Sequence, residues 1–152
     1  MSALQTESVV LNQAAARTAS ASLEAAVRSV ESAKAILDDS PSSLRRWRCL
    51  SELLVARKAF LNHSAVCTSE GGPLLHLVDQ KPRLNAHICR LRSEHDELRH
   101  DFDNLIARAS RQEGQDLDSS EIGLLGQRLD RHRFTSTGLA FEWANRDIGG
   151  EG

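Results

Sequence analysis

A chain of 152 residues with 40% hydrophobic and 26% charged side chains is long enough to bury a core and is globular rather than disordered in composition. Its formal charge of −2 gives no broad electrostatic basis for nucleic-acid binding, and no run of about 18 apolar residues is present to cross a membrane. Aromatics are 4% with no tyrosine, so strand formers are few and helix is favoured.

The N-terminal MSALQTESVV lacks a basic segment leading into an apolar run, so no secretory signal is read there and a cytoplasmic setting is expected. Helix 1 is expected over about 16–38, with Ala19, Leu23, Ala26, Val30, Ala33 and Leu37 forming a soft apolar seam, and with 1–15 as a segment that can fray. Ser40-Pro41 then reads as an N-cap followed by a first-turn proline. Helix 2, about 42–67, carries two adjacent rows. One is Leu50, Leu54 and Leu61; the other is Cys49, Leu53, Ala56, Phe60, His63 and Cys67. Its early arginines, Arg45, Arg46 and Arg48, read as a solvated helix start. Thr68 to Pro73 is a break, a short apolar turn of helix follows over about 73–80, and Lys81-Pro82 is a second break.

Helix 3, about 83–111, places Leu84, Ile88, Leu91, His95, Leu98, Phe102, Leu105 and Ala109 at alternating steps of four and three. After a break at 112–116, Asp118 with Glu121 has the spacing of a capping box. Helix 4, about 119–146, repeats the pattern with Ile122, Leu125, Leu129, His132, Ser136, Leu139 and Trp143. Four such helices predict an all-α, up-down-up-down four-helix bundle as one domain over 1–152, with a short extra helix between helices 2 and 3. Cys49, Cys67 and Cys89 have no paired spacing and read as reduced thiols, mostly small apolar fillers.

Three histidines on three helices fall on the seams: His63, His95 and His132. Each alone is more often a satisfied core residue than a ligand. Counting about 1.5 Å per residue, His95 and His132 stand at matching heights in an antiparallel hairpin. The height of His63 depends on how 68–82 fold back and stays open. His100 points toward solvent and His87 to an edge; His76 belongs to the short connecting helix, where its burial stays open. Glu97-Leu98-Arg99-His100 spells a Glu-x-x-His pair, but on the outer face of helix 3. Four residues after His63 comes Cys67, whereas Arg99 and Ser136 follow His95 and His132. The residues thus supply at most a three-histidine site with one carboxylate, able to hold zinc or a mononuclear iron, or equally a hydrogen-bonded histidine cluster. Neither a glycine-rich phosphate loop nor a nucleophile motif is present, and no acid–base pair can be assembled, so an enzyme is not expected.

Several stretches resemble the bacterial hemerythrin-like (HHE cation-binding) family: Asn62-His63 through Thr68-Ser69-Glu70-Gly71-Gly72-Pro73, then Pro82-Arg83-Leu84 and Leu91-Arg92-Ser93-Glu94-His95, and the ending Phe141 to Gly150. The resemblance covers about residues 50–150 and implies an up-down four-helix bundle with a di-iron or similar site held by His, Glu and Asp from all four helices. His63, His95 and His132 match histidine positions of that pattern. The helix 1 histidine, the partners four after His63 and His95, and the acidic residues after His132 are missing.

The leading expectation is therefore a non-enzymatic hemerythrin-like bundle with a degenerate site, metal-free or at most mononuclear, without cofactor. One alternative is a metal-, O2- or NO-binding sensor or storage protein using His63, His95 and His132 with iron or zinc. Another is a protein-interaction bundle, as a homodimer or with a different protein, and with neither nucleic acid nor membrane as partner.

Overall fold

The computed structural model describes residues 2–39, 44–68, 84–111 and 117–149, apart from the side chains of 4–12, 137 and 139–149. Four helices account for nearly all of it: α1 (Ala3–Asp38), α2 (Arg45–Thr68), α3 (Asn85–Ser110) and α4 (Ser119–Gly149). There is no strand among the described residues. None of these helices is long and apolar enough to cross a membrane. The short helix expected at 73–80, the Ser40-Pro41 cap and His76 lie outside the described residues.

Each helix packs against two neighbours in the cyclic order α1, α2, α3, α4. The registers are all antiparallel. Along α1 and α2, Leu37 meets Arg45 while Ala19 meets His63. Between α2 and α3, Arg46 meets Ala109 while Arg57 meets Asp103. Between α3 and α4, Arg108 meets Glu121 while Glu94 meets His132. Lys34 and Val30 of α1 abut Gly123 and Gly126 of α4. These are the registers of an up-down-up-down four-helix bundle.

The expected α3 seam is buried at Ile88, Leu91, His95, Leu98, Phe102, Leu105 and Ala109, and the α4 seam at Ile122, Leu125, Leu129 and His132; Ser136 is half-buried, and the side chains of Leu139 and Trp143 lie outside the described ones. Leu84 is half-buried at the start of α3. Two expectations need correction on α2. Its row Cys49, Leu53, Ala56, Phe60, His63, Cys67 is buried throughout, but of the other row only Leu50 is, and Leu54 is 48% exposed. Adjacent rows lie about 100° apart on a helix, and a helix with two neighbours turns one stripe to the core. The arginines of the first turn are not simply solvated. Arg46 donates from Nε and Nη2 to the carbonyls of Ala109 and Arg108, and Arg45 donates to Leu37 and Asp39. They satisfy orphan carbonyls at the ends of α3 and α1.

Helix α1 begins at Ala3, well before the expected residue 16. At the start of α4, Asp118 Oδ1 accepts from the Ser120 amide at 3.0 Å, while the Glu121 carboxylate goes to Arg108 at 2.7 Å. One half of the capping box thus joins α4 to α3. Cys49 and Cys67 are buried as expected, but Cys89 is exposed.

Two apolar clusters make the core. The larger runs through Leu23, Val30, Leu53, Phe60, Phe102, Ile122 and Leu129; the smaller joins Ala16, Ala19, Cys67, Ile88 and Leu91. The three seam histidines lie at the level between them, since Phe60, Leu98 and Leu129 belong to one cluster and Cys67 and Leu91 to the other.

Gly126 offers a test of the α1–α4 contact. A Cβ there would stand 3.5 Å from Val30 Cγ1, an ordinary contact. Gly126→Ala is expected to raise the unfolding free energy by about 0.5–1 kcal/mol through helix propensity, read as a higher urea midpoint. Gly126→Leu forces α1 away and lowers that midpoint.

Candidate metal centre

His63, His95 and His132 come from α2, α3 and α4, and are 1%, 5% and 1% exposed. Their placement follows from the seams: each occupies a position where its neighbours three or four residues away are core residues. His63 Nε2 lies 3.2 Å from His132 Nε2, and His95 Nε2 lies 3.1 Å from the same atom. Ring centroids are 4.8–5.4 Å apart. Phe60 closes one side, its centroid 5.9–6.3 Å from all three imidazoles, and itself rests on Phe102 at 5.7 Å.

The outer nitrogens decide what the inner ones are. His63 Nδ1 is 2.7 Å from the Ala19 carbonyl, which can only accept, so Nδ1 carries the proton and donates. His132 Nδ1 is 2.7 Å from Glu94 Oε2 and donates to that carboxylate. In the neutral rings the Nε2 atoms of His63 and His132 are therefore bare lone pairs that face each other at 3.2 Å. His95 Nε2–H can donate to His132 Nε2, but this leaves the His63–His132 contact unresolved, and His95 Nδ1 has no hydrogen-bond partner. Two acceptors in contact and an orphaned buried nitrogen are costly in the interior.

An added proton is opposed by the surroundings. Burial pushes the His95 and His132 imidazoles down from the ordinary 6.5 to about 3, and the neighbouring histidines push in the same direction. His63 is lowered for the same first reason, against its Ala19 hydrogen bond. A divalent ion would resolve the conflict, because it accepts lone pairs rather than protons. Two nitrogens bound to one tetrahedral ion at about 2.05 Å stand about 3.3 Å apart, close to the 3.1 and 3.2 Å already present. All three ligand atoms lie within 4.8 Å of one another. The contacts at Nδ1 from a carboxylate and a backbone carbonyl are also the outer contacts that metal-ligating histidines use.

The matching heights expected for His95 and His132 are observed, and the open height of His63 is resolved at the same level. His100 and His87 are exposed, and Glu97 with His100 faces outward. Cys67 is beside the His63 ring, with Sγ 3.7 Å from Nε2 and 3.9 Å from Nδ1. It is not one of the three-nitrogen group, and burial pushes its thiol up to about 12. Glu94 and the Ala19 carbonyl were not singled out from the sequence. Glu94 could have been found by asking which acid beside His95 faces α4; a backbone carbonyl carries no sequence signal.

No protein-family model, curated protein or solved structure matches the chain, so the site stands on its own geometry.

Unfolded imidazoles protonate near 6.5, whereas folded His95 and His132 do so near 3. Between these values the unfolded chain binds more protons, so stability is full above pH 6.5 and is lost as pH falls toward 3. Thermal melts of the metal-free protein from pH 7 to pH 4 should show a falling midpoint. His95→Leu should flatten that slope and raise the pH 7 midpoint, by removing a buried nitrogen without a partner. An unchanged slope in His95→Leu would contradict the assignment.

Proposed function

We propose that this is a non-enzymatic metal-binding helical bundle that holds one divalent transition-metal ion through Nε2 of His63, His95 and His132, as a sensor or store of that ion. The observation that carries it is the convergence of three inner nitrogens, two of them held as bare lone pairs by partners at Nδ1. Three neutral imidazoles suit zinc and iron(II), and a bound ion would leave coordination positions for small exogenous ligands. The ion would supply Lewis acidity; the chain's own residues bind it, orient it and keep bulk water away.

The reading is that of a hemerythrin-like bundle reduced to a mononuclear site. It is supported by the stretches around His63 and His95 and by the helical registers; the carboxylate partners of a di-iron site are missing from the sequence. A reducing, cytoplasmic setting fits the free thiols of Cys49, Cys67 and Cys89.

Metal analysis of protein purified without an affinity tag tests this. One equivalent of zinc or iron is expected to co-purify or add back, with the melting temperature rising with ion concentration; at a hundredfold excess over Kd the gain is about 2.7 kcal/mol. Leucine at any one of the three histidines should abolish stoichiometric binding. If no ion co-purifies and none adds back, the histidines are a metal-free polar layer and the proposal fails.

Glu94 should behave as an outer partner and not as a ligand. Glu94→Gln keeps an oxygen that can accept from His132 Nδ1 but loses the charge, and Glu94→Ala loses both. Affinity should fall by roughly 10–100-fold in Glu94→Ala and by less in Glu94→Gln, measured by competition with a chromophoric chelator. Equal, complete loss of binding in both would make Glu94 a direct ligand.

A further inference from the structure

His132 lines a cleft that opens to solvent. The cleft, about 120 Å³, lies between α3 and α4 and is bounded by Glu94, Glu97, Leu98, Arg128, Arg131 and His132. Its inner wall is thus a member of the three-nitrogen group together with the carboxylate bonded to it. Glu94 has 28% of its side chain exposed, so it touches both the buried ring and the cleft. One turn outward along α3, Glu97 is 59% exposed and only loosely paired with Arg128 at 3.7 Å. The next turn carries Asp101, which Arg128 holds in a close ion pair. A second cleft of about 190 Å³ continues along the same seam past Arg128 to Leu124 and Arg108. This seam is also where neighbouring helices are least extensively packed, in contrast to α1–α2.

We infer that a divalent ion reaches and leaves the three imidazoles through the α3–α4 cleft, handed inward from the Glu97 carboxylate to Glu94 and past the His132 ring. This rests on the metal-binding reading above. Glu97 and Glu94 stand at successive turns of one helix face, so the ion moves between carboxylates that replace part of its hydration at each step. Arg131 at the same opening repels the ion. It leaves the route slower than the acidic residues alone would make it. The mouth is exposed, so these charges act through steering that depends on ionic strength, over a screening length of about 10 Å at 0.1 M salt.

A residue met along the route but absent from the final site changes the barrier from both sides. Its removal therefore alters uptake and release together and leaves Kd unmoved. This separates Glu97 from a ligand and from an outer partner such as Glu94.

The experiment is stopped-flow uptake of cobalt(II), followed by its visible absorption, with release measured by chelator chase, on the full chain. Glu97→Gln is expected to slow both by roughly threefold to tenfold with Kd unchanged. Arg131→Glu is expected to speed uptake by a similar factor, and raised salt should shrink both effects. Lys58→Glu, at an exposed position of α2 that does not bound the cleft, makes the same change in net charge and should alter nothing. Equal effects of Arg131→Glu and Lys58→Glu, or no kinetic effect of Glu97→Gln, would overturn the route while leaving the site intact. Failure of the unaltered protein to take up cobalt(II) or zinc(II) would overturn both the route and the site.

Discussion

Two hydrogen bonds at the periphery of the core set the chemistry at its centre. The Ala19 carbonyl and the Glu94 carboxylate each take a proton from an Nδ1 atom, and so fix which nitrogen of His63 and of His132 is bare. Without those partners the three rings could exchange tautomers until each inner contact had a donor and an acceptor. With them, the contact between His63 and His132 has no neutral solution. A polar cluster that is only partly satisfied is worse for stability than an apolar layer of the same volume. An ion that accepted the lone pairs would remove that cost.

The same layer ties the helices to one register. His95 lies between Leu91 and Leu98 on its seam, and both are buried. Sliding α3 by one turn against α4 would set a leucine against His132 and remove Glu94 from its Nδ1. The apolar seams alone discriminate less against such a slip, because every turn but that of His95 presents an apolar side chain. Arg108 with Glu121 and Arg128 with Asp101 reinforce the register at the surface, where exposed pairs contribute little individually. The buried contacts discriminate more, since a misplaced imidazole would be left without partners.

How much of this was readable from sequence varies by residue. The α3 seam was readable because only one row on that helix is apolar. On α2 two rows satisfy the helical period, and nothing in the residue types says that Leu54 is the one left outside. The shared height of His95 and His132 followed from counting along two helices joined by a short break. His63 could not be counted in, because the path from α2 to α3 passes through 69–83. Glu94 was hidden because an acid beside a seam looks like part of a solvated face, and its partner is 38 residues away. Arg46 was hidden likewise: only the meeting of α2 with the end of α3 turns a surface cation into a cap.

The donor set also limits how many ions the bundle can hold. A second ion beside the first needs a carboxylate inside the core to bridge the pair and offset its charge. Beside the imidazole layer stand the Phe60 ring and the Cys67 thiol, whose proton burial holds on, and Leu91, Leu98 and Leu129 are buried on the same seams. Helix α1 contributes a backbone carbonyl at Ala19 that is already engaged by His63. Glu94 is the acid in contact with the layer, and it lies outside the tripod on the far side of His132, where it lowers the net charge without reaching the inner space. Among the described residues the three histidines are the one group able to hold a metal ion. Three neutral donors around one divalent ion, with a single carboxylate behind them, would leave the centre positively charged in a largely apolar surrounding. A second such charge a few ångströms away would have no compensating group, so this donor set suits one ion at most.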